Sequence, residues 1–119
     1  MRRVKVQVTT AADGTATKFS SRVSGAIHSV HYVKGDFADG VDFSITAEET
    51  GDGIWTESNV NASAARYPRA ATHSQLGVAA NYAATFPVLD KVAIANDRVK
   101  IVIAQGGNAK SGTFYFLVD

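Results

Sequence analysis

The 119-residue sequence contains no cysteine, only two prolines and a single tryptophan. Without cysteine there is no disulfide framework, no thiol nucleophile and no thiolate-ligated zinc. A chain of this length falls within the roughly 100–150 residues usual for a single core, so it can fold without such staples. Charge of one sign is also lacking. Lys and Arg number 12 against 11 Asp and Glu, a net of +1, and they are scattered rather than gathered in a stripe. A nucleic-acid partner is therefore not expected, and Arg2, Arg3 and Lys5 read as a solvated strand start. No apolar run approaches the ~18 residues a membrane span needs, so no membrane association is expected. Met1-Arg2-Arg3 leads into alternation instead of an apolar signal region, which predicts a chain made in the cytoplasm without an export signal.

What the sequence has in abundance is a period of two. Val4, Val6 and Val8 alternate with Lys5, Gln7 and Thr9, the pattern of a half-buried strand. Asp13-Gly14 signals a turn, and residues 15–19 are expected to return as the second arm of a hairpin. Residues 26–33, after Gly25, read as a further strand. Val41, Phe43, Ile45 and Ala47 alternate with Asp42, Ser44, Thr46 and Glu48, and Gly51-Asp52-Gly53 turns this run into residues 54–60, a second hairpin. The C-terminal third reads as a meander. Residues 92–94 turn at Asn96-Asp97 into residues 99–103, and Gly106-Gly107-Asn108 begins a looser turn into residues 113–118. That last run is apolar on both faces, so it should be central or covered by a partner. With no helical repeat anywhere, the expectation is an all-β fold. It is a single-domain antiparallel β-sandwich or jelly-roll-like barrel of about eight strands spanning 1–119.

Motifs that could carry chemistry give little. Gly106-Gly107-Asn108-Ala109-Lys110-Ser111 resembles a phosphate-binding loop only superficially. Ala109 stands where a glycine is needed, and a strand follows in place of a helix, so a hairpin turn is the preferred reading. His28 and His31 lie three apart, which on a regular strand puts them on opposite faces; they cannot share a metal ion without a bulge. Asp36, Asp39 and Asp42 cluster near two glycines but lack the ligand alternation and closing glutamate of a calcium loop. No serine stands in a nucleophile elbow. Glu48, Glu49 and Glu57 read as solvated carboxylates, and Asn61-Ala62-Ser63 as a bare tripeptide. The expectation is no enzyme, with no catalytic, cofactor-binding or metal-binding residues.

Residues 61–90 do not fit the strand pattern. They are rich in alanine, carry both Pro68 and Pro87, and lack sustained alternation. A structureless loop of such length inside a domain usually signals function or a misread element. Two readings stand: 77–86 conceals a strand or short helix, or the segment is an arm that orders on a neighbouring subunit. Within it Arg66-Tyr67-Pro68-Arg69 is the best candidate for contact with another protein, because arginine and tyrosine supply area and hydrogen bonds at modest entropic cost. The bland alternative is an exposed loop with Tyr67 tucked against the sandwich. Arg66, Tyr67, Pro68, Arg69 and His73 are taken as candidate interface residues.

Read end to end, the chain resembles a family of small structural proteins of tailed-bacteriophage virions. The residues that carry the likeness begin with Arg22-Val23-Ser24-Gly25 and continue in Val33-Lys34-Gly35-Asp36-Phe37-Ala38-Asp39-Gly40-Val41-Asp42-Phe43 and Ile45-Thr46-Ala47-Glu48. Further on they are Asn59-Val60-Asn61-Ala62-Ser63-Ala64, Tyr67-Pro68-Arg69-Ala70-Ala71-Thr72-His73, Asn96-Asp97-Arg98-Val99-Lys100-Ile101-Val102 and Lys110-Ser111-Gly112-Thr113-Phe114. These are turn and loop signatures without a chemical motif. The resemblance implies a particle component without enzymatic activity. The favoured expectation is a capsid decoration (cement) protein on the virion surface, binding the major capsid protein and copies of itself, in such proteins often as a trimer. A head–tail connector, neck or tail component of the same particle is the alternative. Outside that class, a carbohydrate-binding β-sandwich would use Trp55 and the tyrosines Tyr32, Tyr67, Tyr82 and Tyr115 to stack on sugars.

Overall fold

Ten strands and no helix make up the computed structural model, which describes residues 1–119. They are β1 (Arg2–Thr9), β2 (Ala16–Val33), β3 (Val41–Ala47), β4 (Gly53–Val60), β5 (Ala64–Arg66), β6 (Arg69–Ala71), β7 (Asn81–Ala83), β8 (Phe86–Pro87), β9 (Leu89–Ala104) and β10 (Ser111–Val118). All pairings are antiparallel, in the order β1-β10-β2-β9-β3-β4, with β5 added to β2 and β6 to β9.

Two long strands organise the fold. β2 and β9 pair from Ala16↔Ile103 to Ile27↔Val92, and the register slips twice on the way. β10 joins the later part of β2, against residues 27–33, whereas β3 joins the later part of β9, against residues 99–104. The β2/β9 ribbon thus carries one group of strands at each end and bends between them, giving the expected sandwich-like fold. The bend lies at Gly25, whose φ of +137° is open only to glycine. A Cβ there would stand 2.0 Å from the Asp119 carbonyl oxygen, so the chain end packs where a side chain would be. Alternation decides which side chains face inward. Val6, Val8, Val41, Phe43, Ile45, Val99, Ile101, Ile103, Phe114 and Phe116 join a buried cluster of 22 residues. Tyr32, Phe43 and Phe114 form its aromatic centre, with Phe43 and Trp55 edge to face at 4.7 Å. The apolar run of residues 113–118 is central, between β1 and β2, as its two-faced hydrophobicity requires.

The hairpin of β3 and β4 forms as its alternation predicts. Three other expected connections are corrected. Residues 15–19 do not pair back on β1: β1 pairs only with β10, and this part of β2 pairs with β9. The Asp13-Gly14 turn is real, with Asp13 accepting from the Thr15 amide at 3.1 Å, but it leads from one strand group to the other. Asn96-Asp97 is no turn at all, because β9 runs through it. Asn96 takes φ +46° in a bulge facing the bend of β2, where its amide donates to Ser24 Oγ (2.7 Å). The buried Asp97 carboxylate accepts from the amides of Glu49 (3.1 Å) and Arg98 (2.7 Å), tying down the β3–β4 corner. Nor is the glycine-rich 106–112 loop a hairpin turn, since β2 lies between β9 and β10. Its Gly106 amide instead donates to the Gly14 carbonyl at 2.9 Å, packing the loop on the first turn.

Candidate protein-interaction surface

Residues 61–90 contain no buried residue, yet their backbone is organised. β6 pairs with the start of β9 through Arg69↔Lys91 and Ala71↔Leu89. Beyond it the Thr72 amide donates to Val88 O (3.0 Å), Ala80 to Thr72 O (2.9 Å) and Val88 to Ala80 O (2.8 Å). A tight turn at Ser74 closes with the Val78 carbonyl at 2.8 Å, and β7 pairs with β8 through Asn81↔Pro87. The strand reading of 77–86 holds, in β7 and the start of β8, and the part beyond β6 stands as an arm on its own backbone hydrogen bonds.

The root of the arm is latched to the sandwich. β5 pairs with residues 30–32 of β2. The Arg66 guanidinium lies over the Trp55 ring, 5.2 Å from its centroid, and donates to both carboxylate oxygens of Glu57 at 3.1 Å. Trp55 Nε1 donates to the same carboxylate at 2.9 Å. Arg66, with Trp55 adding a second hydrogen bond, holds the Glu57 carboxyl below its usual range. Arg66 thus engages three of its five N–H donors within its own chain, and 44% of its side chain stays exposed. Arg69 likewise donates to the carbonyls of His28 (3.1 Å) and Pro68 (2.7 Å), and Pro68 is half-buried.

Tyr67 sets its ring edge-on to His28 (5.8 Å) and His31 (6.4 Å), while 58% of the residue stays exposed. One tyrosine reaches both histidines because the strand is irregular there: Ile27 pairs with Val118 but Ser29 with Leu117, leaving His28 as an extra residue. The bulge needed to bring His28 and His31 to one face is present. No group of three or more His, Asp or Glu side chains converges to hold a metal ion. Asp36 accepts from the Ser111 amide (2.6 Å), Asp39 pairs with Lys34 (3.2 Å) and Asp42 accepts from the Asn59 amide (2.9 Å), so the three aspartates serve three separate loop contacts. His73 lies exposed on the arm in a single bridge to Ala79.

Farther out the arm displays large apolar side chains. Leu76 is 83% exposed and Tyr82 71%, and Val78, Phe86, Val88 and Leu89 stand open beside them. Tyr82 and Phe86 stack at 5.9 Å with no third aromatic on them. The candidate motif of Arg66, Tyr67, Pro68 and Arg69 is thus the fastening of the surface, while the outer face belongs to residues missed in the sequence. The available signal was the retention of six bulky apolar residues in a segment without strand or helix periodicity. Trp55, 6% exposed beneath Arg66, has no open ring face for a sugar. Among the tyrosines only Tyr32 is buried in the core; Tyr67 and Tyr82 stand exposed.

Comparison with known proteins finds no matching family model, no matching curated protein and no matching solved structure.

Proposed function

We propose that this chain is a structural subunit of a tailed-phage particle, a capsid decoration protein that uses its arm to bridge neighbouring subunits of the major capsid lattice and copies of itself. The observation that carries the reading is the arm of residues 61–90: internally hydrogen-bonded, fastened at its root and bearing beyond it six large exposed apolar side chains, of which Tyr82 and Phe86 stack on each other. So many large apolar side chains left open on one short segment point to burial against a partner. The virion assignment rests on the family resemblance of the turn and loop signatures. In this role the sandwich is a rigid platform, and each arm removes apolar area from water at a lattice contact. Many weak contacts repeated over a shell add through avidity, so no single one has to be tight.

The test is addition of the purified protein to expanded capsids of the virus that encodes it, stripped of the protein beforehand. The expected result is saturable binding in lattice stoichiometry and a higher capsid bursting temperature. No binding overturns the reading. A copy number matching one ring per particle transfers the protein to the neck or tail.

A further inference from the structure

β1 and the first part of β2 follow each other in sequence, separated only by residues 10–15, and yet their edges are not paired with each other. Between them lies a cleft of about 560 Å³, lined by Lys5, Val6, Gln7 and Thr9 on one rim and Lys18, Phe19, Ser20 and Ser21 on the other.

The register fixes which backbone groups face it. β1 pairs with β10 from Arg2↔Val118 to Thr9↔Ser111, and Thr10 continues that register by donating its amide to Lys110 O at 2.8 Å. In an antiparallel ladder, alternate residues point both N–H and C=O to the same partner. Val4, Val6 and Val8 therefore bond to β10, while Arg3, Lys5, Gln7 and Thr9 direct theirs into the cleft. On the other rim, Glu48 continues the β3/β9 register by donating to Arg98 O at 2.9 Å, so Ile101 and Ile103 turn toward β2. Their partners Lys18 and Ala16 are bonded to β9, leaving Phe19, which lines the cleft, to present its backbone there. An unshielded edge of this kind is a template for another strand.

We propose that this cleft is a β-strand addition site in which an extended, acidic segment of a different protein pairs with the free edge of β1. Lys5 and Lys18 stand on opposite rims, and no carboxylate lines the cleft, so side chains on the incoming strand meet only positive charge. A second copy of this chain does not supply such a segment in extended form. Its acids in the β3–β4 connection, Glu48, Glu49 and Asp52, lie outside any strand, with Glu48 held by Arg98. Its arm has Asp90 as the one acid in 61–90, and Glu57 on the outer strand β4 is engaged with Arg66. Backbone pairing supplies affinity along β1, and the lysines select charge.

The experiment titrates the isotope-labelled full chain with a synthetic hexapeptide of alternating valine and glutamate, and with a matched peptide of valine and lysine, recording amide chemical shifts. The expected result is a shift of the Arg3, Lys5, Gln7 and Thr9 amides by the glutamate peptide, with binding at least ~tenfold weaker for the lysine peptide. Gln7→Pro removes one cleft-facing N–H without touching the β10 ladder, a placement proline tolerates on an edge strand; it should keep the wild-type melting temperature and weaken binding about tenfold. If that variant fails to fold, the double substitution Lys5→Glu and Lys18→Glu replaces it and should reverse the preference between the two peptides. Absence of shifts along β1, equal binding of both peptides, or undiminished binding by a folded Gln7→Pro overturns the proposal.

Discussion

Tyr32 sits at the centre of the core, 1% exposed, with rings of Phe43 and Phe114 each at 5.1 Å, and its hydroxyl has no hydrogen-bond partner. A buried hydroxyl without a partner costs about 1–3 kcal/mol in desolvation, whereas the ring itself is well packed. Tyr32→Phe keeps the ring and removes the orphan, so thermal unfolding should show a melting temperature equal to or above the wild type. Burial also raises the phenol pKa to about 12. Below the ordinary value of 10 both folded and unfolded states hold the proton, and the residue adds no pH dependence. Between 10 and 12 the unfolded state ionises while the folded state cannot, so stability falls as pH rises, by up to about 1.4 kcal/mol per pH unit. Chemical denaturation across that window should show this part of the decline in the wild type and not in Tyr32→Phe. A variant that is less stable at neutral pH and keeps the same alkaline slope would show that the hydroxyl is satisfied.

At the scale of elements, the β2 bend is set by Gly25. Alanine there meets both the positive φ and the Asp119 carbonyl at 2.0 Å, while at Gly51, φ +78°, an added Cβ meets nothing within 4 Å. Gly51→Ala should cost only the backbone strain, about 1 kcal/mol. Gly25→Ala must also displace the chain end or unbend β2, and should cost at least ~1 kcal/mol more, read as a lower denaturation midpoint. Equal effects would mean that the chain end is not held against the bend. The same bend explains what was and was not legible in the sequence. Period-two alternation reports which face of a strand is buried, and it located Val6 and Val8, the Phe43–Ile45 run and Ile101–Ile103 in the core correctly, with Val4 packed at its margin. It does not report which strand lies alongside. Asp13-Gly14 and Gly106-Gly107 reverse the chain locally, but the sandwich sends each following strand to a different neighbour, so turn chemistry was mistaken for pairing. Asn96 has the positive φ that Asn in a turn adopts, used here for a bulge. At the arm, Arg66 and Tyr67 were legible as special because of their residue types. Their engagement with Glu57, Trp55, His28 and His31 was not, because it joins positions brought together by pairing and by one unpatterned bulge.

The whole molecule measures 47 × 30 × 22 Å with a Cα radius of gyration of 15.3 Å, against roughly 13.5 Å for a compact domain of this length. The arm, none of whose residues is buried, and the long β2/β9 ribbon both extend the molecule. Since no residue of 61–90 is buried, the core should not need its outer part, and the pairing geometry allows a clean test. Thr72 and Val88 continue the β6/β9 register, with the Thr72 amide donating to Val88 O at 3.0 Å, so they form the hydrogen-bonded pair that a two-residue Asn-Gly turn closes. Replacing residues 73–87 with Asn-Gly should leave stability within about 1 kcal/mol of the wild type, as expected when only exposed surface is removed. Small-angle scattering should show the radius of gyration falling toward the compact value, and binding to stripped capsids should vanish. Unfolding of the shortened chain would mean that the arm is part of the cooperative unit. A stable variant that still decorates capsids would place the binding surface on the sandwich itself. Tyr82→Ser with Phe86→Ser then separates shape from apolar contact: the arm remains, its stacked pair is lost, and capsid affinity should drop at least ~tenfold while the melting temperature stays unchanged.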